Sequence, residues 1–395
     1  MKNKIVMLAI FVLLTFSLSL GSASLTYVHS IASNGLITYP GDPPLRVQGK
    51  LFVDALNNQV LLRGFNLWTP NVFEPEFHPL LSLERFKEIK SWGFNTMSIP
   101  VNWKYVEPYK DQVGAYSEEN LQKMEQIIDW CGQSGLYVVI SFRIIAMWWA
   151  SSWDDQEYTL EWVQTEEAQQ RYQNVLTMLV QRFDEYDNVI GFNGWFFPFH
   201  GYIGKWWDPA WEDCYYNVYT PIIVNTIRAY SNKIIFYSPC YQGGTPIGTV
   251  SSESLDTGQF ALITPLNDDN VVYTHRLHRG RGVNGNARGV EDGDEWDYDY
   301  AYLERQIQPA IDFMNTYDVP LCAIEFGLVT QNQLPIKQSR LDCQDYKFEL
   351  MNNTGSYHWT YWLYGDPSAE EGILNNDLTP NAVGLQIINW AQTTT

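Results

Sequence analysis

Basic residues are scarce in this chain. It has 25 lysines and arginines against 45 aspartates and glutamates, for a formal net charge of −20. Nucleic acid and anionic membrane surfaces both need positive charge to meet them, so this balance argues against either as a partner. Cysteine is scarce too. Cys131, Cys214, Cys240, Cys322 and Cys343 include no CxxC pair, which argues against a zinc or haem site. No Gly-rich phosphate loop and no internal repeat stands out, and nothing calls for a metal or a cofactor. Long apolar runs are missing after the first two dozen residues. The run Ile5 to Leu20 follows Lys2 and Lys4 and precedes the small residues Gly21-Ser22-Ala23. It reads as a secretory leader over residues 1–24, and it is short for a membrane span. The expectation is an exported protein, secreted or held at the cell surface, with no transmembrane span once the leader is removed. Up to two disulfides are then open to it, and the sequence does not fix its oligomeric state.

Apolar residues are plentiful. They make up 45% of the chain against 18% charged, which suits a globular protein with a large core. Aromatic content is 15%, with 16 tryptophans and 25 tyrosines. Part of that serves the core. Part offers flat faces on which the apolar faces of sugars stack.

Val47 to Leu62 reads as a small hairpin turning at Asn57-Asn58. After it, eight strand-like runs alternate with helical patterns. The runs are 61–67, 96–101, 136–142, 189–195, 233–237, 271–275, 321–325 and 358–362. Helical spacing recurs between them, as in Leu83-Phe86-Ile89 behind Ser82 and in Leu121-Met124-Ile128 behind Ser117. With no linker or break in composition, residues 25–395 predict one α/β domain, a single (β/α)8 TIM barrel with an N-terminal hairpin at about 47–62. An open doubly wound sheet is the alternative.

The seventh run, Pro320-Leu321-Cys322-Ala323-Ile324-Glu325-Phe326-Gly327, ends on a single acid. A buried strand that delivers one carboxylate to its C-terminal end sets it where barrels place ligands. Glu325 is therefore either a catalytic nucleophile or half of an ion pair with Arg143 or Arg276. Tryptophans crowd the segments after the third and fourth runs, at Trp148, Trp149 and Trp153 and at Trp206, Trp207 and Trp211. With Trp68 and Trp103 at the ends of the first two runs, they are candidate sugar platforms.

Several stretches resemble cellulase-type enzymes of glycoside hydrolase family 5. They are Leu62-Arg63-Gly64-Phe65-Asn66, Gly93-Phe94-Asn95 through Asn102-Trp103, Glu107-Pro108, Val189-Ile190-Gly191-Phe192, Ile324-Glu325-Phe326-Gly327 and Trp362. The resemblance spans about Leu51 to Trp390. It implies a (β/α)8 barrel and a secreted retaining hydrolase of β-linked glycans. It also implies two carboxylates, with Glu325 at the nucleophile position. The acid/base is expected in an Asn-Glu-Pro sequence, but those positions read Phe196-Phe197-Pro198. The family's second-strand Arg falls on Ser98 and its third-strand His on Arg143. Its sixth-strand His and Tyr fall on Arg276 and His278, or a slip of one restores His275. Trp362 matches the Trp that floors the sugar site. Phe197 cannot donate a proton, which removes a contribution of about 10²–10⁴-fold. The missing partner acid tilts Glu325 toward the ion pair. His200 is the best-placed substitute acid. The sequence thus predicts a secreted binder of a β-linked polysaccharide or oligosaccharide, with hydrolysis lost or strongly reduced. The alternatives are an active retaining endo-β-glycanase or transglycosylase with a rebuilt site, and a structural cell-surface barrel.

Overall fold

The computed structural model describes residues 44–67, 72–73, 80–109, 111–143, 164–194, 213–239, 264–277, 300–327, 338–365 and 372–393. The leader at 1–24 lies outside them, as do Trp68, Trp148, Trp149, Phe197, His200, Trp206, Trp207 and His278. Arg143 and Arg276 are described by backbone alone.

The chain enters through a three-stranded antiparallel sheet, β1 (Arg46–Gln48), β2 (Leu51–Val53) and β3 (Gln59–Val60). The expected hairpin is present, with one more strand before it. Its turn uses Asn57 at φ 64°, a left-handed conformation that Asn tolerates. Eight parallel strands then close into a barrel: β4 (Arg63–Leu67), β5 (Thr96–Asn102), β6 (Tyr137–Arg143), β7 (Val189–Asn193), β8 (Ile234–Tyr237), β9 (Val271–Leu277), β10 (Leu321–Phe326) and β11 (His358–Tyr364). The predicted barrel is thus the observed one, and the open sheet is ruled out.

Helices pack around it: α1 (Leu83–Ser91), α2 (Trp103–Val106), α3 (Glu118–Gln133), α4 (Glu166–Phe183), α5 (Thr220–Tyr230), α6 (Tyr300–Tyr317), α7 (Gln338–Asn352) and α8 (Ala382–Thr393). Their starts are written locally. Ser82, Ser117 and Thr165 each accept a hydrogen bond from the backbone N–H three residues on, and acids fill the first turns that follow. None of the helices among the described residues is long and apolar enough to cross a membrane. Cys131, Cys214, Cys322 and Cys343 are all free thiols, so no disulfide forms among the described residues.

Alternation along the strands sorts the buried residues into two clusters. Met97, Ile99, Phe142, Tyr273 and Trp359 face the helices in the larger one. Val139, Ile190, Phe236, Val272 and Ile324 fill the lower lumen in the smaller one, joined by Phe52 of the entry sheet and by Leu45 just before it. That sheet plugs the N-terminal end of the barrel. Phe52 stacks on His358 at 3.8 Å between ring centroids, and the Val47 N–H donates to Asn270 at the foot of β9. With its foot closed, the barrel offers ligands its C-terminal end, the usual site in this architecture.

Candidate active site at the C-terminal end of the barrel

β10 carries one residue more than its neighbours. Ala323 pairs with His275, but the next pairing on that side joins Glu325 to Arg276. On the other side Ala323 pairs with Trp359 and Phe326 with Tyr361. Ala323 and Phe326 both face the helices. The bulge therefore leaves Ile324 and Glu325 to the lumen. Two side chains fix it in place. Asn66 Nδ2 donates to the Ile324 carbonyl at 2.7 Å, and Thr360 Oγ1 donates to the same oxygen at 2.5 Å. Glu325 ends up 5% exposed, a buried carboxylate near the open end. Arg276 holds the register position beside it on β9.

Polar side chains line the lumen at this level on every strand. Asn66, Ser98, Ser141 and Asn193 come from β4 to β7. Ser238, just past β8, joins Thr274 of β9, Glu325 of β10 and Thr360 of β11. All are buried, and the residues flanking each along its strand include one that faces the helices. Thr274 and Ser238 share a short hydroxyl contact, and Asn193 Nδ2 donates to Ser238 Oγ at 3.4 Å. Sequence reasoning singled out Ser98 and Glu325 from this ring and missed the rest. The available signal was a lone polar residue between apolar ones, repeated in Phe65-Asn66-Leu67, Ile140-Ser141-Phe142 and Trp359-Thr360-Tyr361.

Trp362 is half-buried, after the lumen-facing Thr360 and between the helix-facing Tyr361 and Tyr364. The peptide bond that follows it is cis. It is the one predicted tryptophan that the described residues place near the open end with part of its surface accessible. Trp103 departs from expectation. It is fully buried, and its indole N–H donates to Glu107 Oε2 at 2.6 Å. Its ring packs against Phe142 and Tyr172, which leaves no face open to a sugar.

Glu107 explains that burial. Its carboxylate also accepts from Arg171 Nε at 2.8 Å and from the Gly114 N–H at 2.7 Å. Three donors converge on one buried anion, which is how a charge is kept inside a protein. Arg171 Nη2 reaches on to the Tyr109 carbonyl at 3.1 Å. Its neighbour Tyr172 donates its hydroxyl to the Gly194 carbonyl at 2.5 Å. Successive residues of α4 thus tie down the chain just past β5 and just past β7, three residues short of Phe197. His275 is not a lumen group. It follows Tyr273 onto the helix-facing side, where its ring meets the Tyr357 hydroxyl in a short contact.

A family profile described as cellulase, glycosyl hydrolase family 5, matches residues 53–368. Cellodextrinase A of Ruminococcus flavefaciens is 22% identical over 256 residues, covering 62% of this chain and 67% of its own. Among solved structures, Thermotoga maritima Cel5A in complex with cellobiose superposes with a TM-score of 0.60 at 18% identity, over 84% of this chain and 97% of that one. The same enzyme with mannotriose gives 0.59 at 16%, with the same coverage. A broad-specificity endoglucanase from Bacteroides salanitronis gives 0.63 at 16%, over 85% and 93%.

Proposed function

The chain belongs to the cellulase family, glycosyl hydrolase family 5, and from that membership we propose an exported barrel that holds a β-linked glycan at its open end while O-glycosyl hydrolysis is lost or strongly reduced. One observation carries this reading. The bulge in β10 sets Glu325 into the lumen, while the motif position for its partner acid reads Phe197. Retaining hydrolysis needs both carboxylates, about 5–5.5 Å apart. With Glu325 alone, a sugar leaving group departs unprotonated. Phe196, at the position of the motif's Asn, also lacks a donor for the sugar. The half-buried Trp362 supports retained binding, because a tryptophan with part of its surface accessible is a candidate to stack a sugar ring. The glycan class follows from the relatives, whose structures hold cellobiose and mannotriose. Export follows from the leader-like residues 1–24.

Calorimetric titration with cello- and manno-oligosaccharides tests the proposal. Wild type should bind at least one series, and Trp362→Ala should weaken that binding at least about fivefold, since stacking one ring on an aromatic is worth about 1 kcal/mol or more. No heat with any glycan, alongside a folded protein, overturns glycan binding and leaves the structural barrel. The second reading, an active hydrolase with Glu325 as nucleophile and a loop residue such as His200 as acid, rests on the same lumen position of Glu325. An aryl β-glycoside with an activated leaving group needs little acid assistance, so its turnover reports on the nucleophile alone.

A further inference from the structure

We propose that the lumen beside β4, β5, β6 and β7 binds a cluster of ordered internal waters, held by Asn66, Ser98, Ser141 and Asn193. These four side chains come from consecutive barrel strands and are 0–2% exposed. Asn66 Oδ1, Ser98 Oγ, Ser141 Oγ and Asn193 Oδ1 have no hydrogen-bond partner among the described residues. The other half of the ring is different. Ser238 pairs with Thr274, and Thr360 donates to the Ile324 carbonyl. Both asparagines spend their amide N–H groups toward that side, Asn66 on Ile324 and Asn193 on Ser238. Their carbonyl oxygens have no partner among the described residues, and β4 and β7, which carry them, adjoin the strands of the two serines.

A buried polar atom without a partner carries its full desolvation penalty, so four of them on adjoining strands call for a ligand. The four groups are uncharged, so they give neither a cation nor an anion its counter-charge. They offer two acceptors and two hydroxyls that either donate or accept. Water matches that set, because one molecule makes about three hydrogen bonds to such groups. The side chains here are also small. Barrel interiors are usually filled by layers of Val, Ile and Leu, whereas two serines stand here on neighbouring strands. Hydration on this side gives the buried Glu325 carboxylate a polar lumen in place of an apolar one, which lowers the cost of keeping a charge there. This inference does not depend on whether the barrel binds or cleaves a glycan.

A crystal structure of the whole protein, at a resolution that shows ordered water, is the direct test. Discrete density within hydrogen-bond distance of the four oxygens is expected. A lumen without it, in which the same oxygens pair with protein groups, overturns the proposal. Melting of Ser98→Ala and Ser141→Ala gives a second reading with opposite signs. If the hydroxyls bind water, each variant lowers Tm by about 1–3 °C. If they are buried dry, removing them raises Tm, and the proposal is wrong.

Discussion

His358 enters the floor of the lumen as a neutral ring. Its Nδ1 accepts the Leu62 N–H at 3.1 Å, a role that only the unprotonated nitrogen can fill. Burial, with the nearby Arg63 charge adding to it, pushes its pKa down to about 3 from an ordinary 6.5. Between those values the unfolded chain binds a proton that the folded chain refuses. Stability from this group is therefore complete above pH 6.5 and drains away as pH falls toward 3, at up to about 1.4 kcal/mol per pH unit. His358→Asn keeps an acceptor near the Nδ1 position and has nothing to titrate there. Denaturant unfolding across that window should show a shallower pH slope for the variant, and equal slopes would contradict a neutral buried His358. The Glu107–Arg171 pair belongs to the same scale. Removing the cation alone in Arg171→Met strands a buried carboxylate and should cost about 3–5 kcal/mol. Adding Glu107→Gln should recover part of that loss. If the double variant is as unstable as the sum of the two singles, the partners act independently and the account of the pair fails.

At the scale of elements, the barrel depends on how closely its strands approach. A Cβ on Gly64 would lie 1.7 Å from the Thr96 carbonyl oxygen of the adjacent strand. Backbone cannot give way as a side-chain tip does, so Gly64→Ala should destabilise by about 3 kcal/mol or more, read by chemical denaturation. A variant as stable as wild type would mean that β4 and β5 do not meet in this register. The strands were legible in the sequence because parallel strands buried on both faces read as continuous apolar runs, and all eight fall where those runs lie. Three helices were not: the one-turn α2 and the longer α5 and α7. In α7, Leu341, Cys343, Phe348 and Leu350 are spread around the helix and leave no clear stripe. α5, Thr220–Tyr230, is apolar through Pro221-Ile222-Ile223-Val224, a run that periodicity alone does not assign to a helix. The site was only partly legible. Glu325 stood out as an acid ending an apolar run, but the bulge that turns it inward is a matter of pairing. Trp103 read as a rim residue because it follows a strand directly, and nothing local marks Arg171, 64 residues beyond Glu107, as part of what buries it.

Taken whole, the molecule keeps the family's barrel, and under the proposed function it keeps one of the family's two carboxylate positions. Restoring the motif in Phe196→Asn with Phe197→Glu should therefore raise hydrolysis of β-glycans by about 10²–10⁴-fold over wild type, provided Glu325 is retained. Failure of that gain in a folded variant would mean that the lost acid is not what limits the chemistry. The central claim is tested most directly by reducing-sugar release over a panel of β-glucans, mannans and xylans, with wild type beside Glu325→Gln. No release by either protein is the predicted result. Release by wild type at ordinary enzyme rates, abolished by Glu325→Gln, would contradict it and make this chain a working glycosidase with a rebuilt acid.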